Sequence, residues 1–330
     1  MEVSSFIFNF KLPMNKKGFL WKIFIVVGLL ILIDKGLGTI LQYYYFKIHH
    51  GEQGRTTYVI DSCISETIIL GSSRAAHHYV SPVISEILNT TAYNAGKDKQ
   101  RLRYCLALLN MLYRRYSPKQ IILDLNPTAF EKNENGLDEL SILLPYYGSH
   151  PEIRSIVNER NRFEWIKSYS ELYRFNSLPL KILFNNLSSE RDANESGGYV
   201  PLVIHKEFIP ETPESLPASQ PIDSSIVDCF KEIISLVKDH DSRLIVVVSP
   251  IYYRLPLNLK TMGIAKSICS KEQISFLDYS QSRQFLDHGP EMFLDKGHLN
   301  DSSAIVFSKI LSGDLKKVKE GEVFISTRNH

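Results

Sequence analysis

Cysteine is scarce in this chain. Cys63, Cys105, Cys229 and Cys269 are the whole complement, widely separated and with no CxxC pair among them. That spacing excludes zinc knuckles and thioredoxin-like redox motifs, and it leaves four small apolar side chains suited to a core. A dominant charge is missing as well. The formal net charge is +2 over 330 residues, too small for the basic footprint of a nucleic-acid binder. Apolar residues make up 44% and charged residues 22%, near the globular average, which excludes a disordered chain and a many-span membrane protein. No internal repeat occurs, and the length suits one large domain or two small ones besides an anchor. Beyond residue 50 no apolar run is long enough to span a bilayer, which excludes a transporter.

The first fifty residues differ. Residues 23–33 (IFIVVGLLILI) form an uninterrupted apolar run, shorter than the ~20 helical residues that a bilayer core needs. Gly18, Phe19, Leu20 and Trp21 extend it on one side, with Lys22 able to snorkel toward headgroups. Residues 36–46 (GLGTILQYYYF) extend it on the other and end in an aromatic cluster suited to an interface. Asp34 and Lys35 interrupt the stretch and are expected near its outer boundary. Lys11, Lys16, Lys17 and Lys22 flank the N-terminal side. The positive-inside rule therefore puts residues 1–17 in the cytoplasm, 18–46 across the membrane and the rest outside. No small-x-small cleavage site follows Ile33, which argues against a cleaved signal peptide; a buried core helix is the other reading of the run.

Further on, short β-branched apolar runs closed by turn residues read as buried parallel strands. They are 67–70 (TIIL), 121–125 (IILDL), 244–248 (LIVVV) and 274–277 (ISFL). Amphipathic stretches at 100–115 and 225–239 read as helices between them. Strands alternating with helices predict an α/β domain over about 60–320, with a parallel sheet covered on both faces. Residues 137–187 read as helical and aromatic, and 188–221, with five prolines and Gly197-Gly198, as an extended loop. Together they form an insertion at about 137–221.

Ligands of open α/β sheets bind beyond the carboxyl ends of the strands, so the residues that follow each run carry the chemical interest. After TIIL stands Gly71-Ser72-Ser73-Arg74. A serine at the start of a helix is an ordinary cap; it is also a nucleophile whose developing negative charge the backbone N–H groups there would favour. Near the other end stand Asp295 and His298. At this spacing the carboxylate can accept Nδ1–H and leave Nε2 free to take a proton from a serine, although DxxH by itself equally describes an Asp cap beside a surface histidine. The pair precedes an expected final helix at 302–315, on the same rim as Ser73. Ala92-Tyr93-Asn94-Ala95-Gly96 offers the Gly96 N–H, and Asn126 offers a side-chain amide; with the Ser73 N–H these make a candidate three-donor oxyanion hole.

The order of serine, glycine, asparagine and C-terminal DxxH, each after a strand, resembles the SGNH (GDSL-type) hydrolase superfamily over roughly residues 67–315, the insertion excepted. It is most similar to the membrane-anchored, extracytoplasmic branch of D-alanyl transfer and alginate-acetylation proteins, which have Gly-Ser/Thr-Ser where secreted esterases have Gly-Asp-Ser. Ser72 stands in place of that aspartate, and Asp124-Leu125-Asn126-Pro127 in place of Gly-x-Asn-Asp. The resemblance implies a three-layer α/β/α, flavodoxin-like domain behind one transmembrane helix. It further implies a catalytic triad of Ser73, Asp295 and His298, and an oxyanion hole of Ser73, Gly96 and Asn126.

Other side chains read more plainly. His77 and His78 are adjacent and point to different helix faces, so a metal shared with His298 is not expected and both are assigned to the rim or surface. Arg74 is read as solvated rather than anion-binding. Tyr146, Tyr147, Tyr169 and Tyr173 are read as the aromatic core of a helical lid, and 249–252 as pocket lining. The expected function is an O-acyl, perhaps acetyl, esterase or acyltransferase on a cell-envelope glycan. It needs no cofactor, sits in the cytoplasmic membrane, and is served by a membrane partner that supplies acyl groups. The alternative is a catalytically inactive domain of the same type that binds glycan or scaffolds an acylation or secretion complex.

Overall fold

In the computed structural model, which describes residues 16–133, 136–188, 196–202, 210–319 and 325–327, the β-branched runs become the strands of a parallel sheet. In chain order the strands are β1 (Thr67–Leu70), β2 (Ala92–Asn94), β3 (Gln120–Asp124), β4 (Glu214–Ser215), β5 (Arg243–Val248), β6 (Tyr253–Arg254), β7 (Ser275–Asp278) and β8 (Ile325–Thr327). The main sheet runs β2-β1-β3-β5-β7-β8 with every neighbouring pair parallel, while β4 and β6 pair separately. Residues 1–15, Lys11 among them, and parts of the expected loop (189–195 and 203–209) lie outside the described residues.

Side chains alternate across the sheet with period two. Ile68, Leu70, Ile121, Leu123, Val246 and Phe276 enter one core with helices Leu102–Tyr113 and Ser224–Asp239. Ile69, Ile122, Ile245, Val247 and Leu277 enter a second core, against Phe307 and Leu311 of helix Asp301–Lys319. Both faces are thus dry, which is why these strands read as unbroken apolar runs. All four cysteines are free and buried.

Several elements depart from expectation. β2 (AYN) is not among the four apolar runs that read as strands; its Asn94 is fully buried and hydrogen-bonded. Residues 137–187 form a 3-10 segment, Asp138–Tyr146, containing Pro145, followed by short helices, of which the longest is Pro179–Leu187. The domain also starts ahead of residue 60, because Gln53, Arg55, Thr56, Val59 and Ile60 of helix Gly51–Asp61 are buried.

The N-terminal apolar stretch is one helix, Lys16–Phe46, of which Lys17–Phe46 is long and apolar enough to cross a membrane. Asp34 and Lys35 are not simply boundary charges. The Asp34 carboxylate accepts the N–H groups of Glu171 (3.0 Å) and Leu172 (3.2 Å) and the Ser170 hydroxyl, at the start of helix Glu171–Arg174. Lys35 Nζ lies 2.9 Å from Glu171 Oε1. Gly38 permits this contact, since a Cβ there would fall 2.3 Å from the Glu171 Cβ. The insertion therefore lies against the long helix. Tyr146 and Tyr147 are buried in the main core, Tyr173 is partly buried, and Tyr169 is exposed.

Candidate active site

β1 ends at Leu70, and the chain must turn at once into helix Ser73–His78. Gly71 makes the turn at φ +147°, where a Cβ would meet Ala75 Cβ at 2.8 Å and Asp124 at 3.0 Å; no side chain fits there. Ser73 follows as the first helical residue, so its N–H has no partner within the helix. It sits where the chain leaves β1 for β2 on one side and β3 lies on the other, the switch point at which open α/β sheets form a crevice.

The 295–298 segment is a tight loop wound on the Asp295 carboxylate. Oδ1 accepts the N–H groups of Gly297 (2.6 Å) and His298 (2.9 Å), and Leu294 N–H donates to the His298 carbonyl at 2.9 Å. Asp295 Oδ2 lies 2.8 Å from His298 Nδ1. Facing an acceptor, Nδ1 carries the proton, so Nε2 is left to accept. His298 Nε2 stands 2.7 Å from Ser73 Oγ. The structure thus brings Ser73, His298 and Asp295 into one hydrogen-bonded line, with the Asp295 and His298 side chains 28% and 24% exposed. Burial pulls the Asp295 carboxyl upward, but the His298 hydrogen bond and charge and the backbone N–H groups outweigh it and hold it below the usual carboxylate range.

Behind this line lies a buried network that the sequence did not announce. The Leu299 N–H donates to His78 Nε2 at 3.0 Å, so the other nitrogen, Nδ1, carries the proton toward Ser249 Oγ at 3.0 Å. Burial first, then the charges of His298, Arg74 and His77, push the His78 pKa well below its ordinary value, which keeps the ring neutral as these bonds require. The Ser249 N–H donates to Asp124 Oδ1 at 3.2 Å, which also accepts the Tyr79 hydroxyl at 2.7 Å; Arg74 pairs with Asp124 Oδ2 at 3.0 Å. His77 points its Nδ1–H at the Val200 carbonyl (2.8 Å), with Nε2 3.1 Å from Asp98. Of the rim and surface readings of His77 and His78, the surface one is therefore corrected, as is the reading of Arg74 as solvated: all three are buried, with both histidine rings beside His298.

The candidate oxyanion donors separate. Asn126 lines a cavity of about 270 Å³ together with Ser73, Arg101, Leu102 and Glu139. Its Oδ1 accepts the N–H and hydroxyl of Thr128, each at 3.0 Å, which fixes the amide plane. Gly96 behaves otherwise. Its N–H donates to Asn94 Oδ1 at 3.0 Å, and a Cβ there would lie 2.4 Å from the Ala76 nitrogen. In this geometry Gly96 is a packing residue beneath helix Ser73–His78, with its N–H already engaged. Ser73 N–H and the Asn126 amide remain as candidate donors. Comparison with protein-family models and with curated proteins gives no match.

Proposed function

We propose that this chain is a membrane-anchored, extracytoplasmic serine acyl esterase or acyltransferase of SGNH type, acting on O-acyl groups, acetyl above all, of a cell-envelope glycan. The observation that carries the reading is the 2.7 Å approach of His298 Nε2 to Ser73 Oγ, with Asp295 2.8 Å behind the ring. Renumbered without the β4–β6 pair, the six main strands follow the order 2-1-3-4-5-6, whose first five match the flavodoxin-like order and support that three-layer assignment. The long N-terminal helix, with lysines at its start, supports a single span with the domain outside.

In this reading Ser73 Oγ attacks the acyl carbonyl while His298 Nε2 takes its proton. The oxyanion is met by the Ser73 N–H and the Asn126 amide. Collapse expels the sugar alcohol, which leaves with the proton from His298. Water, or a second sugar hydroxyl, then gives its proton to His298 and attacks the acyl-Ser73 carbonyl; the acyl–Oγ bond breaks and Ser73 Oγ takes the proton back from His298. A membrane acyl-transfer protein is the natural donor for the transferase version.

A fluorophosphonate probe tests the proposal. Full-length protein should label at one site, and Ser73→Ala should abolish it; equal labelling of the two proteins overturns the reading. A reporter fused after His330 that is active only in the cytoplasm overturns the orientation.

A further inference from the structure

Outside the Ser73 site, a cavity of about 460 Å³ opens where the insertion meets the C-terminal end of the long apolar helix. Gln42 lines it from the helix, and Arg154, Ser168 and Arg174 from the insertion; among the described residues no acidic one lines it. Each guanidinium is aimed by backbone carbonyls: Arg154 donates to Tyr147 (3.2 Å) and Gly148 (3.3 Å), and Arg174 to Ser168 (2.8 Å). Gly148 keeps the space open, since a Cβ there would fall 2.4 Å from Arg174 NH1. Ser168 is fully buried, yet its hydroxyl has no hydrogen-bond partner among the described residues. Two guanidiniums with no carboxylate partner among the described residues, beside an unused buried donor, suit a phosphate group, which accepts bidentate arginine hydrogen bonds.

Depth narrows the source. From Trp21 to Gln42 there are twenty-one helical steps of ~1.5 Å each. Their sum is roughly 30 Å, the thickness of a bilayer hydrocarbon core. With Trp21 at one interface, Gln42 reaches the other, beside exposed Tyr43 and Tyr44. Asp34 and Lys35 then lie about 12 Å inside it, each held by a partner in residues 170–172 rather than standing at the boundary. Helix Pro179–Leu187 lies alongside, tied by the Asn186 amide to the Tyr44 carbonyl at 3.0 Å. It exposes Leu180, Leu183, Phe184 and Leu187, an i, i+3, i+4, i+7 stripe of the kind that enters the acyl region of a membrane.

We propose that this cavity binds the phosphate of an anionic phospholipid in the leaflet on the domain's side. The inference rests on the membrane-spanning reading above. Native mass spectrometry of the full-length protein in detergent tests it, with phosphatidylglycerol, diacylglycerol and glycerol 3-phosphate as probes. Phosphatidylglycerol should be retained by wild type, and Arg154→Gln, a change at an exposed side chain, should weaken it about tenfold to a hundredfold. Diacylglycerol should bind weakly to both proteins, and glycerol 3-phosphate should not displace the lipid. Equal retention by an Arg154→Gln protein of unchanged melting temperature overturns the proposal, as does equal binding of diacylglycerol. Displacement by glycerol 3-phosphate at matched concentration reassigns the site to a soluble phosphate and overturns the lipid source. Alkaline carbonate extraction separates the two levels: a chain that stays in the membrane while the lipid test fails loses only the site, and a chain that is released loses the spanning reading.

Discussion

The Leu299 N–H donates to His78 Nε2 at 3.0 Å, across 221 residues of chain. A buried imidazole on the helix that begins with Ser73 thus holds the loop that carries His298, so nucleophile and base are fixed from the same short element. His78 makes no contact with Ser73 Oγ in this arrangement; it is a positioning residue. His78→Leu leaves the Leu299 N–H buried without a partner, at a cost of about 1–3 kcal/mol. The expected result is a lower melting temperature and slower fluorophosphonate labelling. His78→Gln, whose carbonyl oxygen can accept the same N–H, should recover part of the rate. Equal rates for the leucine and glutamine variants at matched stability would remove the positioning role.

Asp295 tests the other side of the imidazole. Its carboxylate holds the Nδ1–H tautomer of His298 and would stabilise the cation formed during acylation. Asp295→Asn keeps the volume but puts an amide where an acceptor for Nδ1–H and for two backbone N–H groups is needed. Labelling should fall by on the order of 10³–10⁴. The pH response follows from the depressed carboxyl: the stability that ionised Asp295 contributes is present above the unfolded value of 3.8 and is lost as pH falls through the lower folded value. Acid titration of the melting temperature should therefore show wild type losing its advantage over Asp295→Asn only below about pH 4.

Which of these features were legible in the sequence follows from where their partners lie. TIIL and LIVVV read as strands because both sheet faces are covered, whereas β2 was hidden by Asn94, whose amide is satisfied by the Ala75 and Tyr79 carbonyls. The Asp295–His298 spacing was legible because its geometry is closed within one turn. The His78–Ser249–Asp124 network was not, because each link joins residues tens to hundreds of positions apart. A buried, paired arginine such as Arg74 looks in sequence like a surface one. The partners of Asp34 were hidden for the same reason: the backbone N–H groups it accepts belong to residues 171 and 172.

Asn126, which remains a candidate donor, and Gly96, which does not, make opposite predictions. Asn126 is exposed and its Oδ1 is used only within its own turn. Asn126→Ala should leave the melting temperature nearly unchanged and slow acylation by about 10²–10³. Gly96→Ala retains the backbone N–H but drives a methyl to 2.4 Å from the Ala76 nitrogen. Its expected effect is destabilisation by roughly 1–3 kcal/mol, read as a lower melting temperature. An Asn126→Ala enzyme acylated at the wild-type rate would exclude the amide from the hole.

Lys97 supplies a prediction independent of the catalytic reading. It follows Gly96 directly, is buried, and donates from Nζ to Thr56 Oγ1 at 3.0 Å and to the Glu52 carbonyl at 3.3 Å. Burial, only partly offset by the Glu52 carboxylate, pushes its pKa from 10.5 down to about 8. Between those values the unfolded chain holds the proton more tightly than the folded one, so stability rises with pH across that window. Below about pH 8 both states are protonated and the whole desolvation cost remains, at most ~3 kcal/mol for a shift of this size. Lys97→Met removes it without orphaning an acceptor, because the Thr56 hydroxyl already donates to the Glu52 carbonyl at 2.8 Å. The variant should melt higher than wild type at pH 7, and its advantage should shrink steadily from pH 8 to 10.5. Melting curves that differ by the same amount at both ends of that range would show that the Lys97 ammonium reaches solvent, and the packing of Lys97 described here would then be wrong.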